Sequence, residues 1–539
     1  MKSKKILKLI ACFMVVVLVA ACGNGAGGDV GGGGDAGDTA DTVDTADTAD
    51  DGDVEDSDDG GDAAGAAGEE PFRISFMTWE FYNAPTYMGQ VTWSTMGEIL
   101  NIYVDFEFSS NYDEAITLRL TAGDLPDIFG APTHIFARYY GTGVVRELDD
   151  LLNTRGQNVL AAIDRAGIRN NVLADDGHFY FIPQIEESYV LQCGGWINRR
   201  WMEASGVTDV PTTTDELYAA LAAFQEHMGE SAIPLIRGPW YSLLHPFFRY
   251  FGTSPSWIMF DESVGVVFAP YHYQEETLMA LEFLHRLYDE RLLDQEFLDR
   301  DDASIRAAMV NDDVGFFISW SDGASLWCYG GADETDFVPV PPLHSPVGRT
   351  FTGIKGVIGG TFSLSGSISD ESAERVMDML NFMFGPEGES LFTWGVEGVT
   401  FEYVDGQREF TDLVWEHEVG PLNGRRTLGM NPIPIPHIAS WEGWAAILAP
   451  DQETLDQVEM GLPYLIPHQP VLTGTEDEER EFASIMADIS LYTENALEQF
   501  IVGVRPLDDF DNFIANLEAM GIQRAQEIRA DQYQRWLNR

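Results

Sequence analysis

Thirteen tryptophans are spread over this chain of 539 residues, and several stand where a strand or turn ends rather than inside an apolar run. An indole presents a flat apolar face and a single N–H. Beside carboxylate, amide and guanidinium groups, such faces make mixed pockets that hold polyhydroxylated solutes such as sugars. Trp79 follows the first strand pattern, and Trp240 follows the pattern that ends at Arg237. Trp320 closes the apolar run Val314-Gly315-Phe316-Phe317-Ile318, and Trp394 adjoins the turn Gly395-Val396-Glu397-Gly398. Trp441 and Trp444 follow the proline-rich stretch 432–436. The expected ligand contacts are Trp79, Trp240, Trp320 and Trp394, with Asp127, Arg237 and Glu397 as polar partners. Core packing is the opposing reading for each indole, and turn formation for Asp127.

Signatures of catalysis are missing from the chain. It contains no CxxC pair, HExxH, GxSxG or P-loop. The GxGxxG spacing occurs at Gly32, Gly34 and Gly37, inside a glycine-rich run with no strand pattern before it. Two carboxylates flanking a scissile bond would suit a glycosidase. Among 88 acidic residues any two make a pair, so their presence carries almost no information.

The elements that would position these side chains alternate in type. Residues 72–77 and 102–108 read as strands, with Phe72, Ile74 and Phe76 on one face of the first. A helix carrying Met88, Val91, Met96 and Leu100 lies between them. Residues 113–122 read as a second helix, and Gly123-Asp124-Leu125-Pro126 turns the chain into a short strand at 127–129. Strand, helix, strand, helix, strand predicts βαβ units and a mostly parallel sheet. Ligands sit beyond the carboxyl ends of such strands, which points to Thr78-Trp79-Glu80 and to Gly130.

The amino end carries a different chemistry. Lys2, Lys4, Lys5 and Lys8 precede an apolar run at 9–19 and then Ala20-Ala21-Cys22. A basic start, a short apolar core and small residues describe a secretory signal, and the terminal cysteine resembles the lipobox of bacterial lipoproteins. That resemblance implies acylation of Cys22, where each buried methylene contributes roughly 0.8 kcal/mol to membrane anchoring. Residues 23–70 hold only Gly, Asp, Ala, Thr, Val, Ser, Glu and one Asn. Such a segment buries too little apolar surface to offset its ordering entropy, and as a flexible tether it would span roughly 35–40 Å. Asp56, Asp58 and Gly60 faintly match a calcium loop, yet no Glu closes it at the required spacing.

Composition narrows the partners. The formal charge is −57, and Lys355 is the only lysine after the signal. Nucleic acid and anionic membrane surfaces are poor partners for such a body. Cations carried almost wholly as arginine suit a salty or alkaline medium, although compositional drift accounts for them equally well. Cys193 and Cys328 could pair outside the cytoplasm; their spacing does not decide it.

Several blocks then resemble, in order, the extracellular solute-binding proteins of ABC importers. Leu118-Arg119-Leu120-Thr121-Ala122-Gly123-Asp124-Leu125-Pro126-Asp127-Ile128 is similar to that family's "ASGDLPDI" signature. Gly141-Thr142-Gly143-Val144-Val145-Arg146-Glu147-Leu148 follows. Next come Trp196-Ile197-Asn198-Arg199-Arg200-Trp201-Met202 and Val210-Pro211-Thr212-Thr213-Thr214-Asp215-Glu216-Leu217. Val340-Pro341-Pro342-Leu343, Trp394-Gly395-Val396-Glu397-Gly398 and Phe500-Ile501-Val502-Gly503 complete the series. Within the class, the likeness is to large LplA-type lipoproteins and alginate-oligosaccharide-binding proteins. Where relatives carry an acid-rich calcium loop, this chain has 224–235 with only Glu226 and Glu230 as acids. Six to eight oxygens are not available there, so no metal or other cofactor is expected.

The resemblance implies an α/β, two-lobed periplasmic-binding-protein-like fold, each lobe a sheet flanked by helices, with several hinge crossings. The expected division is a signal at 1–21 and a lipidated tether at 22–70. Lobe 1 is expected at 71–192 and 343–395, and lobe 2 at 193–342 and 396–539 with a helical tail. Crossings are expected at 190–196, 338–342 and 392–403. The implied role is capture of an extracellular carbohydrate, as a monomer and without turnover. Delivery would be to ABC permease subunits at the outer face of a Gram-positive-like cell membrane. A peptide ligand and a glycan-degrading enzyme are the alternatives.

Overall fold

A computed structural model describes residues 70–80, 88–187, 193–229, 232–238, 244–320, 337–354, 358–432, 434–448 and 452–539. The expected signal, Cys22 and the acidic tether lie outside the described residues, as do Trp240, Cys328 and Lys355. Among the described residues no helix is long and apolar enough to cross a membrane.

Two sheets organise the body. The first contains β1 (Phe72–Trp79), β2 (Ile102–Ser109), β3 (Ile128–Gly130), β4 (Ile182–Glu186), β12 (Ile358–Leu364) and β15 (Ile438–Ala439). Their spatial order is β15-β4-β12-β3-β1-β2. β1 runs parallel to β2 with Phe72 opposite Ile102 and Trp79 opposite Ser109, and parallel to β3 on its other side. β12 is antiparallel to both β3 and β4. The alternating patterns at 72–77 and 102–108 thus become neighbouring parallel strands, each slightly longer than its apolar stretch. Between them, helix Val91–Leu100 buries Trp93 and Met96. Helix Tyr112–Ala122 stops at Gly123, whose φ of 69° closes the helix in the left-handed region.

The second sheet has the order β10-β5-β9-β6, formed by β5 (Cys193–Asn198), β6 (Ile233–Ile236), β9 (Val314–Trp320) and β10 (Phe337–Val340). Helix Thr214–Met228 leads into it through a capping box, in which Thr213 and Glu216 each satisfy the other's backbone N–H. The Pro-Thr-Thr-Thr-Asp-Glu block is therefore a helix-start device. The C-terminal helices Glu476–Ile501, Phe510–Ala519 and Ile522–Leu537 pack in one core with this sheet, through Phe482, Leu497, Phe500 and Leu517 against Ile197, Leu235 and Phe316. Each buried side chain of this size contributes about 1.5–3 kcal/mol.

β10 (Phe337–Val340), the last strand before the expected crossing, lies in the second sheet antiparallel to β5, and the next strand of the first sheet is β12. One segment is placed differently from the expected division: β15, expected in lobe 2, pairs with β4 in the first sheet. Three small ribbons complete the strands. β7 (Trp257–Ile258) pairs with β8 (Val267–Phe268), and β11 (Gly353–Ile354) with β16 (Leu465–Ile466). β13 (Phe401–Val404) pairs with β14 (Gln407–Phe410).

Candidate functional site

The carboxyl ends of the first sheet's parallel strands carry the side chains best placed to meet a ligand. Trp79 is the last residue of β1 and is half-buried. Its indole leans on Tyr112, with centroids 4.5 Å apart, and meets Phe362 edge-on at 6.2 Å. The Tyr112 hydroxyl donates to the Gly130 carbonyl at 2.6 Å. Burial, then the charges of Asp113 and Glu107, push that phenol well above its ordinary range, so it stays a donor. The result is an indole braced from two sides at the sheet's end.

At the same end of the sheet, with β12 and β3 between it and β1, β4 ends in a buried polar pair. Gln184 Nε2 donates to Glu186 Oε1 at 2.6 Å, and both side chains are nearly inaccessible. Gly359 on the neighbouring β12 leaves room for the carboxylate, since a Cβ there would stand 2.8 Å from Glu186 Oε1. After β15, Trp441 opens helix Trp441–Leu448 and is also half-buried. Sequence reasoning did not select Gln184 and Glu186. The visible signal was Ile182-Pro183-Gln184-Ile185-Glu186, an apolar–polar alternation whose polar face happens to be covered.

The other expected contacts fare differently. Asp127 precedes β3, at its amino end. Ser75 N–H and Oγ donate to Asp127 Oδ2 at 2.9 and 2.8 Å, and Asp127 N–H donates back to Ser75 Oγ at 2.9 Å. The carboxylate staples β1 to β3, far from the carboxyl ends. Arg237 follows β6, but its guanidinium donates to the carbonyls of Phe297, at 3.0 Å, and Arg300, and lies 3.7 Å from Asp302. It organises the 297–302 loop. Trp394 is a core residue, stacked on Phe410 at 4.7 Å with Arg408 above it at 5.7 Å. Glu397 is exposed on the turn before β13. Trp320 ends β9 opposite Cys193 in register; its side chain, like Trp240, lies outside the described residues. Among the expected contacts with described side chains, Trp79 and Arg237 stand at carboxyl ends of parallel strands, and Arg237 is engaged by the 297–302 loop.

Among the described residues, one group of metal-type ligands is close-set: Glu147, Asp149 and His178. His178 Nδ1 lies 3.6 Å from Glu147 and 3.5 Å from Asp149. Glu147 chiefly, with Asp149 and Asp176, holds the imidazole above its ordinary value. That favours the protonated ring, whereas a metal requires the neutral one. The three side chains lie within ion-pair distance of one another at the surface. Between helix Thr214–Met228 and β6 the connection is only residues 229–232.

Comparison with known proteins places this arrangement. No protein-family model matches the chain. The chain is 23% identical over 482 residues to the fructooligosaccharide ABC transporter substrate-binding protein FusA of Streptococcus pneumoniae, over 80% of this chain and 85% of that protein. It is 24% identical over 336 residues to lipoprotein LipO of Bacillus subtilis, covering 57% of this chain and 64% of LipO. The alginate-binding protein AlgQ2, solved without calcium ion, matches with a TM-score of 0.73 at 20% identity, over 87% of this chain and 99% of its own. FusA in complex with kestose gives 0.70 at 20% identity, over 86% and 99%. The fold is that of the extracellular solute-binding proteins. Trp79 and Glu186 end parallel strands of the first sheet, and Trp441 follows β15 at the same end. Asp127 and Trp394, though inside blocks that resemble the family's signatures, serve the scaffold.

Proposed function

We propose that this chain is the lipid-anchored solute receptor of an ABC importer, and that it captures a carbohydrate oligomer between two lobes without altering it. The observation that supports this most is the end-to-end fold likeness to AlgQ2, with the half-buried indole of Trp79 at the carboxyl end of β1. Relatives that match over most of their length are described as binding fructooligosaccharide, alginate and N-glycan. An apolar ring face on β1 and a polar Gln184–Glu186 pair two strands away, at the same end of the sheet, suit a ligand long enough to present both C–H faces and hydroxyls. Trp320 and Trp240 are proposed as further contacts from the second lobe. Binding would favour the closed arrangement of the lobes, a shift in an existing equilibrium. Cys22 is proposed as the acylated residue that holds the body at the outer face of the cell membrane.

The test is calorimetry and thermal unfolding of residues 23–539 with fructo-, alginate and N-glycan oligosaccharides, and with peptides of similar length. A true ligand at about a hundred times its Kd adds about 2.7 kcal/mol of stability, with one ligand bound per chain and none consumed. Catalytic release of shorter sugars, or a response to peptides alone, would overturn the reading. Cys22→Ala should move the full chain from the membrane to the soluble fraction.

A further inference from the structure

Between the β7–β8 ribbon and helix Glu476–Ile501 lies a cavity of about 370 Å³. Trp257 and Phe268 line it from the ribbon. Phe482, Met486, Thr493 and Glu494 line it from the helix, and their spacing sets them on one helical face. The rings form walls: Trp257 stands 5.6 Å, centroid to centroid, from both Phe268 and Phe482. No residue of the first sheet lines this space, which sets it apart from the strand ends that carry Trp79 and Glu186.

One lining group lacks a partner. Thr493 is 3% exposed, and its hydroxyl is buried without a hydrogen bond. Other helical threonines of this chain close that bond on the preceding turn. Thr117 Oγ1 donates to the Asp113 carbonyl at 2.6 Å, Thr121 Oγ1 to the Thr117 carbonyl at 2.8 Å and Thr95 Oγ1 to the Val91 carbonyl at 2.8 Å. Thr493 forgoes it inside a helix of 26 residues. A hydroxyl buried and unpaired costs stability. A ligand that supplies the missing partner recovers that loss.

Charge and ring faces select the ligand. Glu494 is the one ionisable side chain among the described lining residues, so an anion meets repulsion there. Aromatic faces attract cations. Phe482 already carries the Arg529 guanidinium 3.7 Å above its ring, with Glu479 3.7 Å from that arginine to answer its charge. An ammonium group is offered acceptors by Glu494 and Thr493, while an apolar body fills the space among the rings and Met486. A sugar would meet rings and a thioether where most of its hydroxyls need partners. We propose that this cavity is a second binding site, for a small primary amine in its ammonium form with an apolar body, independent of the oligosaccharide site.

The probe is 2-phenylethylammonium, with 2-phenylethanol, 3-phenylpropionate and glucose as its neutral, anionic and sugar counterparts. Calorimetric titration of the full chain should show the ammonium bound at least about tenfold more tightly than the alcohol. Glu494→Gln should weaken that binding by about tenfold. Thr493→Val should weaken it similarly, yet hold or raise the unfolding temperature of the free chain, because the unpaired hydroxyl is gone. Affinity for fructo-, alginate and N-glycan oligosaccharides should not change in either variant. No ammonium binding at about 10 mM, or equal binding of the alcohol, overturns the proposal. So does a preference for 3-phenylpropionate or glucose, or ammonium affinity within about twofold of the wild type in both variants. A chain that binds the ammonium but none of the oligosaccharides sinks the receptor reading and leaves this site standing.

Discussion

The benzo edge of Trp79 occupies the space where a side chain on Gly130 would stand: a Cβ there would fall 2.5 Å from Trp79 Cζ3. Two strands are joined by this absence, β1 through its last residue and β3 through its own. Gly130→Ala should push the indole off its seat against Tyr112. The expected result is an oligosaccharide affinity weakened about tenfold, with secondary structure retained. Calorimetry reads the affinity and circular dichroism the fold. An unchanged affinity would show that the indole is not part of the ligand face.

Asp127 is expected to behave as scaffold. Its carboxylate takes both the N–H and the hydroxyl of Ser75. Asp127→Ala strands two part-buried donors, a loss of about 1–3 kcal/mol. Urea unfolding should show that loss while the Kd for oligosaccharide stays where it was. A large change in Kd at constant stability would return Asp127 to the ligand site.

His437 makes stability depend on pH. Its Nδ1–H donates to the Ile435 carbonyl at 2.9 Å, and Nε2 lies 3.2 Å from Asn431 Oδ1. Burial pushes the imidazole down to about 4, with the Arg425 charge acting in the same direction. In the unfolded chain the ring titrates near its ordinary value of about 6.5. Between those values the unfolded state takes up a proton that the folded state refuses. Stability is therefore full above pH 6.5 and falls as the pH drops, by about 3 kcal/mol once below 4. His437→Gln should lose stability at pH 7 yet show a shallower decline from pH 7 to 4.5. Parallel declines in the two proteins would refute this assignment.

Asp175 gathers three donors from the C-terminal region. The Thr473 hydroxyl reaches it at 3.0 Å and Arg535 Nε at 2.9 Å, and the Arg539 guanidinium also binds it. The Arg539 side chain is only 5% exposed, so removing its partner leaves a covered charge. Asp175→Asn should cost about 1–3 kcal/mol in dilute buffer. The deficit should shrink in 1 M salt. A deficit independent of salt would mean that packing, rather than charge, holds this helix end.

Much of the first sheet was legible because its signals are local. Alternation in 72–77 and 102–108 reports one covered face per strand, and Gly123 marks a helix end through backbone chemistry that needs no distant partner. The blocks that resemble the family's signatures were legible too, although much of what they encode proves to be architecture. Gly123 ends a helix, Asp127 staples two strands, and Trp394 fills a core.

Local sequence determined the acidic composition, the βαβ start and the helical tail. Tertiary structure decided which side chains share a place. Ile438–Ala439 is too short to show any period, and only its partner β4, some 250 positions earlier, makes it a strand of the first sheet. Trp394 and Trp79 look alike at their turns. Phe410 and Arg408 cover one, while the carboxyl end of β1 leaves the other partly open. Periodicity records that a residue has a covered face; which residue covers it depends on chain crossings that no short window contains.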